Sequence, residues 1–371
     1  MRKAESRHMA EAVVSLVGRT LRVLSAMLPA GILAAALCVG SPAEAEPVRG
    51  AGSTFAAPVI AKWAKIYKDA RADGGDYFTL DWTVDYELVG SLAGVLRLDQ
   101  PEMDFAATDA PVSAAELEKR GRQQFPIVMG GIAVVANLDG IPAGSLRLTG
   151  PLLADIYLGK IQNWSDLAIK AVNPDLALPD LRISVMHRQD GSGSTFVFTE
   201  YLSAVNADWK TKYGADTLVS WPLGTSAEGT RNLIAAVQAT KGAISYAEYG
   251  QVERSGLPFA SIQNRAGNFV KPDPAGVQAA ANAVAWDKVE HFNASLTDQP
   301  GEAAYPISTA TFAVVPVAER SSDRHGHVQD FFRLAFERGA SDASALGYVP
   351  LPDSLVKLVK QYWDKDLRAA N

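Results

Sequence analysis

Apolar positions along the chain follow two alternating rhythms. Trp82, Val84, Tyr86 and Leu88 fall on every second residue, as the inward positions of a single strand over 82–88 would. Residues 127–135, 182–187 and 311–317 predict further strands. Between such runs the spacing changes to that of helices. Val59, Ile60, Trp63, Ile66 and Tyr67 mark one helical stripe, and Val197, Phe198, Tyr201, Leu202 and Val205 mark another. Strands alternating with amphipathic helices predict an α/β fold. The 371 residues exceed what one core commonly serves, so two lobes are expected. No repeat, low-complexity stretch or long linker separates them, which implies that the chain crosses between lobes more than once. Phe125-Pro126, followed by Gly130-Gly131, is the candidate first crossing, and Tyr305-Pro306 the candidate return.

The chemistry concentrates in three short segments, each placed where a helix is predicted to begin. They are Gly50-Ala51-Gly52-Ser53-Thr54-Phe55, Gly90-Ser91-Leu92-Ala93-Gly94, and Arg188-Gln189-Asp190-Gly191-Ser192-Gly193-Ser194-Thr195. A helix N-terminus presents backbone N–H groups without intrahelical partners and carries a partial positive charge. Glycine admits a ligand close to the backbone, and Ser or Thr adds a donor, so such a start can cradle an anion with little formal charge. Taken singly, each segment reads as well as an ordinary N-cap. Arg188 adds a fork of donors suited to a tetrahedral oxyanion, and Asp190 is placed to pair with it. Asp109, ahead of Pro111, stands at a predicted strand end, where a turn or capping aspartate is equally expected.

Composition narrows the class. The chain is 48% hydrophobic and 20% charged, with net charge −6, which argues against a nucleic-acid partner. Arg19 and Arg22 precede an apolar stretch over 23–39, and Ser41-Pro42-Ala43-Glu44-Ala45 has a small-x-small pattern. Residues 1–45 are therefore expected to be a cleavable signal peptide rather than a membrane anchor, with Glu46 as the mature start. Leu37 before Cys38 does not suit a lipoprotein signal. Cys38 is the only cysteine, so the exported part would have no disulfide and no thiol nucleophile.

The segments together resemble the substrate-binding proteins of the phosphate-specific ABC transporter, the PstS family. The resemblance is carried by GAGSTFAAPV at 50–59, DFAATDAP at 104–111, QFPIVMGGIAVVAN at 124–137 and DIYLGKIQNW at 155–164. It continues in RQDGSGSTFVFTEYL at 188–202, GAISYAEY at 242–249 and LPDSLV at 351–356. It implies a type II periplasmic binding protein: two α/β lobes joined by a hinge, with the ligand in the cleft and no catalysis. Lobe I would be residues 46–128 plus 306–371, and lobe II residues 129–305. Phosphate would be bound by Thr54, Phe55, Ser91, Asp109, Arg188, Ser192, Gly193 and Ser194, with Asp190 orienting Arg188. The family often has a second serine where Leu92 stands, leaving only the backbone N–H at that position, and often threonine where Ser194 stands. The implied partners are inorganic phosphate and the transmembrane permease, for a monomer in the periplasm without cofactor or metal.

Asp109 is the expected source of selectivity. Phosphate near neutral pH keeps a proton that a buried carboxylate can accept, whereas sulfate offers none and is repelled. Other readings on the same fold are a sulfate or molybdate binder, a phosphate sensor or a surface adhesin. A hydrolase using Ser192 or Ser194 with His187 is disfavoured, since adjacent strand residues point to opposite faces and no nucleophile elbow is present. His325-Gly326-His327, with Asp323 and Asp330, has a conceivable metal spacing but reads as a solvated loop before a helix at 328–337. Trp63, Trp82, Trp164, Trp209, Trp221, Trp286 and Trp363 read as packing residues rather than a sugar-stacking platform.

Overall fold

In the computed structural model the four predicted runs fall in strands with shifted ends, and further strands accompany them. It describes residues 47–72, 83–317 and 322–367, with 71, 72, 322, 323, 325, 366 and 367 given by backbone alone. The expected signal segment and Trp82 lie outside the described residues. In chain order the strands are β1 Val48–Gly52, β2 Val84–Leu88, β3 Phe105–Thr108, β4 Arg122–Ala136, β5 Arg147–Leu148 and β6 Ser184–Arg188. They continue as β7 Thr225–Ala227, β8 Ala243–Glu248, β9 Ser261–Gln263, β10 Phe269–Val270 and β11 Ser308–Pro316. The helices that bear on the site are α1 Ala57–Ala72, α2 Ser91–Arg97, α3 Gly193–Val205, α4 Gly229–Ala239, α5 Tyr249–Ser255 and α6 Ser322–Arg338.

One sheet runs through the molecule in the order β2-β1-β3-β11-β4-β8-β6-β7, and a small one is ordered β10-β9-β5. The long strand β4 joins the two halves of the large sheet. Its first part pairs antiparallel with β11 from Arg122 to Gly131, and its second part pairs with β8 from Ile132 to Ala136. The exchange of partners therefore falls just after the Gly130-Gly131 step, inside a continuous strand and beyond Phe125-Pro126. Pro126, which has no N–H to give the ladder, instead lies at the register shift between Thr311 and Phe312 of β11. β11 also pairs antiparallel with β3, and the remaining neighbours are parallel: β1 with β2 and β3, and β6 with β7 and β8.

The helical stripes pack as their spacing requires. Val59, Ile60, Trp63 and Tyr67 of α1 are buried, as are Val197, Phe198, Tyr201 and Leu202 of α3. Trp63, Trp164, Trp209 and Trp363 are buried core residues. The alternation read over 82–88 fails at its last member: Leu88 is exposed, because β2 is an edge strand leaving the sheet toward Gly90. The loop expected before residue 328 is also corrected. The segment is helical from Ser322, and His327 is buried within α6. Among the described residues no group of three or more His, Cys, Asp or Glu could hold a metal ion. No described helix is long and apolar enough to cross a membrane.

Candidate functional site

The three glycine-rich segments leave the C-terminal ends of parallel strands β1, β2 and β6, where open α/β sheets place their ligand crevices. They come together. Leu92 donates its N–H to the carbonyl of Gly191 at 3.1 Å, joining the second segment to the third. The N–H at position 92, which could have faced a ligand, is thus used to hold the two halves together. A side chain at Gly193 would bring its Cβ within 2.4 Å of Ser91 Oγ and 2.7 Å of Asp109 Oδ2, so only glycine allows the α3 start to approach so closely. At Gly90, φ is 83° and an added Cβ would lie 2.7 Å from Asp190 Oδ2, so glycine is required there twice over.

Asp109 lies at the centre, 1% exposed. It follows β3 and receives hydroxyl donors from two other segments. Ser53 Oγ is 2.8 Å from both carboxylate oxygens, and Thr311 Oγ1 donates to Oδ1 at 2.8 Å. The Asp109 N–H donates to Ser91 Oγ at 3.2 Å. Burial raises the Asp109 pKa to about 6, against the opposing pull of Ser53, Thr311, Arg188 and Ser91. The carboxylate is therefore ionised at neutral pH but close to its titration.

Arg188 ends β6 and is buried with Asp190 beside it. Its Nε donates to Asp190 Oδ1 at 2.7 Å and its Nη2 to Oδ2, while the Gly229 N–H also donates to Oδ1 at 2.9 Å. Burial works to raise the Asp190 pKa, and the Arg188 hydrogen bond with its charge overrides this, so Asp190 stays below the ordinary carboxylate range. The pairing read from the i, i+2 spacing is thus present. His187 turns the other way: it stacks on Trp221 with ring centroids 4.8 Å apart, and its Nδ1 lies 3.2 Å from the Arg188 carbonyl. Among the described residues neither Ser192 Oγ nor Ser194 Oγ is hydrogen-bonded to a histidine or a carboxylate.

At the α3 start, Ser192 Oγ accepts from the Thr195 N–H at 3.3 Å, and the Ser192 carbonyl accepts from Phe196. The N–H groups of Gly193 and Ser194 are left as the unpaired donors of the first turn. Ser194 Oγ is buried and has no hydrogen-bond partner. An unsatisfied buried hydroxyl is uncommon, and a ligand acceptor or donor could complete it. In the first segment, the Phe55 N–H is directed at Ser53 Oγ at 3.1 Å. Gln251 Nε2 and Tyr348 Oη hold that loop from behind, donating to the carbonyls of Thr54 and Phe55 at 3.1 and 2.6 Å.

Ser53, Thr311 and Thr230 belong to the cluster and were not singled out in the sequence. Ser53 lies inside the GAGSTFAAPV motif, beside Thr54. Thr311 lies in β11, which also carries Ser308 and Thr309, so the sequence does not single it out. Thr230, 2% exposed on α4, had no motif to mark it.

Comparison with known proteins follows the same lines. A family model described as the PBP superfamily domain matches residues 39–336. Phosphate-binding protein PstS of Xylella fastidiosa is 40% identical over 321 residues, covering 86% of this chain and 86% of that protein. Phosphate-binding protein PstS of Haemophilus influenzae is 37% identical over 326 residues, covering 88% of this chain and 95% of that protein. The solved phosphate-binding protein from Stenotrophomonas maltophilia superposes with a TM-score of 0.62 at 18% identity, over 85% of this chain and 94% of that one, a likeness of fold. With the mixed α/β sheet continuous through β4, these matches give the type II periplasmic binding fold, and the chain belongs to the PBP superfamily and, within it, to the PstS family of phosphate-binding proteins.

Proposed function

We propose that the chain binds inorganic phosphate at this cluster in the periplasm and delivers it to the transmembrane permease of an ABC importer. The carrying observation is a buried carboxylate, Asp109, set among hydroxyl donors with the Arg188 charge acting on it. An anion site that also contains an acceptor suits an anion that retains a proton. Thr54, Ser91, Arg188, Ser192, Gly193 and Ser194 are the proposed phosphate contacts, with Phe55 sharing its N–H between Ser53 and the anion. Asp190 holds the guanidinium, and Asp109 takes the phosphate proton. Lobe I (46–128 with 306–371) and lobe II (129–305) close on the ligand, with β4 passing between them. Closure must be favoured by contacts from both lobes, since equal affinity for open and closed states would shift nothing.

Protein freed of bound anion by unfolding and refolding should retain one labelled phosphate per chain in equilibrium dialysis. Failure to retain any would refute the reading. Ser194 supplies a finer test. Ser194→Ala removes a hydroxyl that has no partner, so the ligand-free melting temperature should not fall, while phosphate affinity should drop about tenfold. A lower melting temperature with unchanged affinity would place that hydroxyl outside the site.

A further inference from the structure

Thr230 connects the two halves through a hydroxyl pair. It stands in the first turn of α4, whose preceding residue, Glu228, makes no side-chain cap. Arg188 Nη1 donates to Thr230 Oγ1 at 3.2 Å, and Thr230 Oγ1 lies 2.9 Å from Thr54 Oγ1. Thr54 and Thr230 also line a cavity of about 520 Å³, together with Tyr86, Glu228 and Gln251, and neither Asp109 nor Arg188 reaches its wall. Thr230 therefore stands between the buried guanidinium and the open cavity.

We propose that Thr230 is a positioning residue that relays Arg188 across the cleft to Thr54 and so fixes the direction of the Thr54 hydroxyl. The inference rests on the phosphate reading of the site. A guanidinium has donors and no acceptor, so Thr230 accepts from Arg188. The remaining Thr230 proton has Thr54 Oγ1 as its neighbour. With Thr54 accepting there, its own proton is left for the anion; with the direction reversed, Thr54 would have no proton to offer. A chain that begins at a cation also polarises each hydroxyl along it. Asp190 holds the other edge of the guanidinium through Nε and Nη2, so the three engaged donors leave one hydrogen on each Nη.

The test measures phosphate affinity by calorimetry for the wild-type chain, Thr230→Val, Thr230→Ser, Thr54→Val and the double variant Thr54→Val/Thr230→Val. Thr230→Val should weaken phosphate binding about tenfold, and Thr230→Ser should restore most of it, because the hydroxyl and not the methyl carries the relay. In the Thr54→Val background the loss on removing the Thr230 hydroxyl should be clearly smaller. Wild-type affinity in Thr230→Val, equal weakness in Thr230→Ser, or strictly additive losses would overturn the relay. Should Thr230→Val not fold, Thr230→Ala replaces it against Thr230→Ser. A wild-type chain that binds no phosphate strikes the phosphate reading itself, which separates the two failures.

Discussion

Asp109→Asn should narrow the gap between phosphate and sulfate affinity by about tenfold or more, chiefly by admitting sulfate. The ionised carboxylate accepts the proton that phosphate retains, whereas sulfate would set a second unprotonated anion against a buried negative charge. An amide at this position removes the charge and offers a donor. The donors around it, Ser53 and Thr311, keep an acceptor in the amide oxygen, so the variant should fold. The same group carries a pH signature. Its pKa rises from 3.8 to about 6 on folding, so the native chain holds a proton that the unfolded chain releases between those values. That contribution to stability is fully present below 3.8 and is lost as the pH rises through about 6. In ligand-free wild-type protein, thermal melts should show this loss, and in Asp109→Asn it should vanish. Sulfate binding by the wild type should strengthen as the pH falls below about 6, where a protonated carboxyl becomes a donor. An unchanged affinity gap in Asp109→Asn would remove Asp109 from the site.

Arg188→Met should have the largest effect on affinity, a loss of about a hundredfold or more, because the anion loses charge-assisted donors from a buried guanidinium. It should also destabilise the fold. The Arg188 and Asp190 side chains are only 2% and 14% exposed, and removing one partner of such a pair costs about 3–5 kcal/mol. Arg188→Met/Asp190→Asn separates the two consequences. With the orphaned charge removed, the melting temperature should recover much of its loss, while phosphate affinity should not recover. Retained phosphate affinity in Arg188→Met would place the guanidinium in a purely structural role.

The site was legible in the sequence where its chemistry is local. Arg188 and Asp190 are two residues apart at a strand end, so their pairing followed from spacing, and the donor-rich start of α3 followed from Gly-Ser-Gly-Ser ahead of a helical stripe. What was hidden comes from chain-distant segments. Thr311 reaches Asp109 from a strand 202 residues away, and Thr230 reaches Thr54 across 176. A threonine in a buried strand or on a helix carries no local mark of the group it will meet. Leu92 shows the opposite case: its N–H was visible as a free helix-start donor, but tertiary closure directs it to Gly191. In the fold, one strand was marked by alternation and three by short apolar runs, yet β4 hid its crossing. Nothing in a continuous apolar run says where it exchanges one partner strand for another, and Gly130-Gly131 marks that point only once β11 and β8 are known to flank it.

The most direct test is isothermal titration calorimetry of the purified, anion-free chain with phosphate and then sulfate at neutral pH. The account predicts tight one-to-one phosphate binding and no heat from sulfate. Sulfate binding as strong as phosphate binding, or no binding of phosphate, would contradict it.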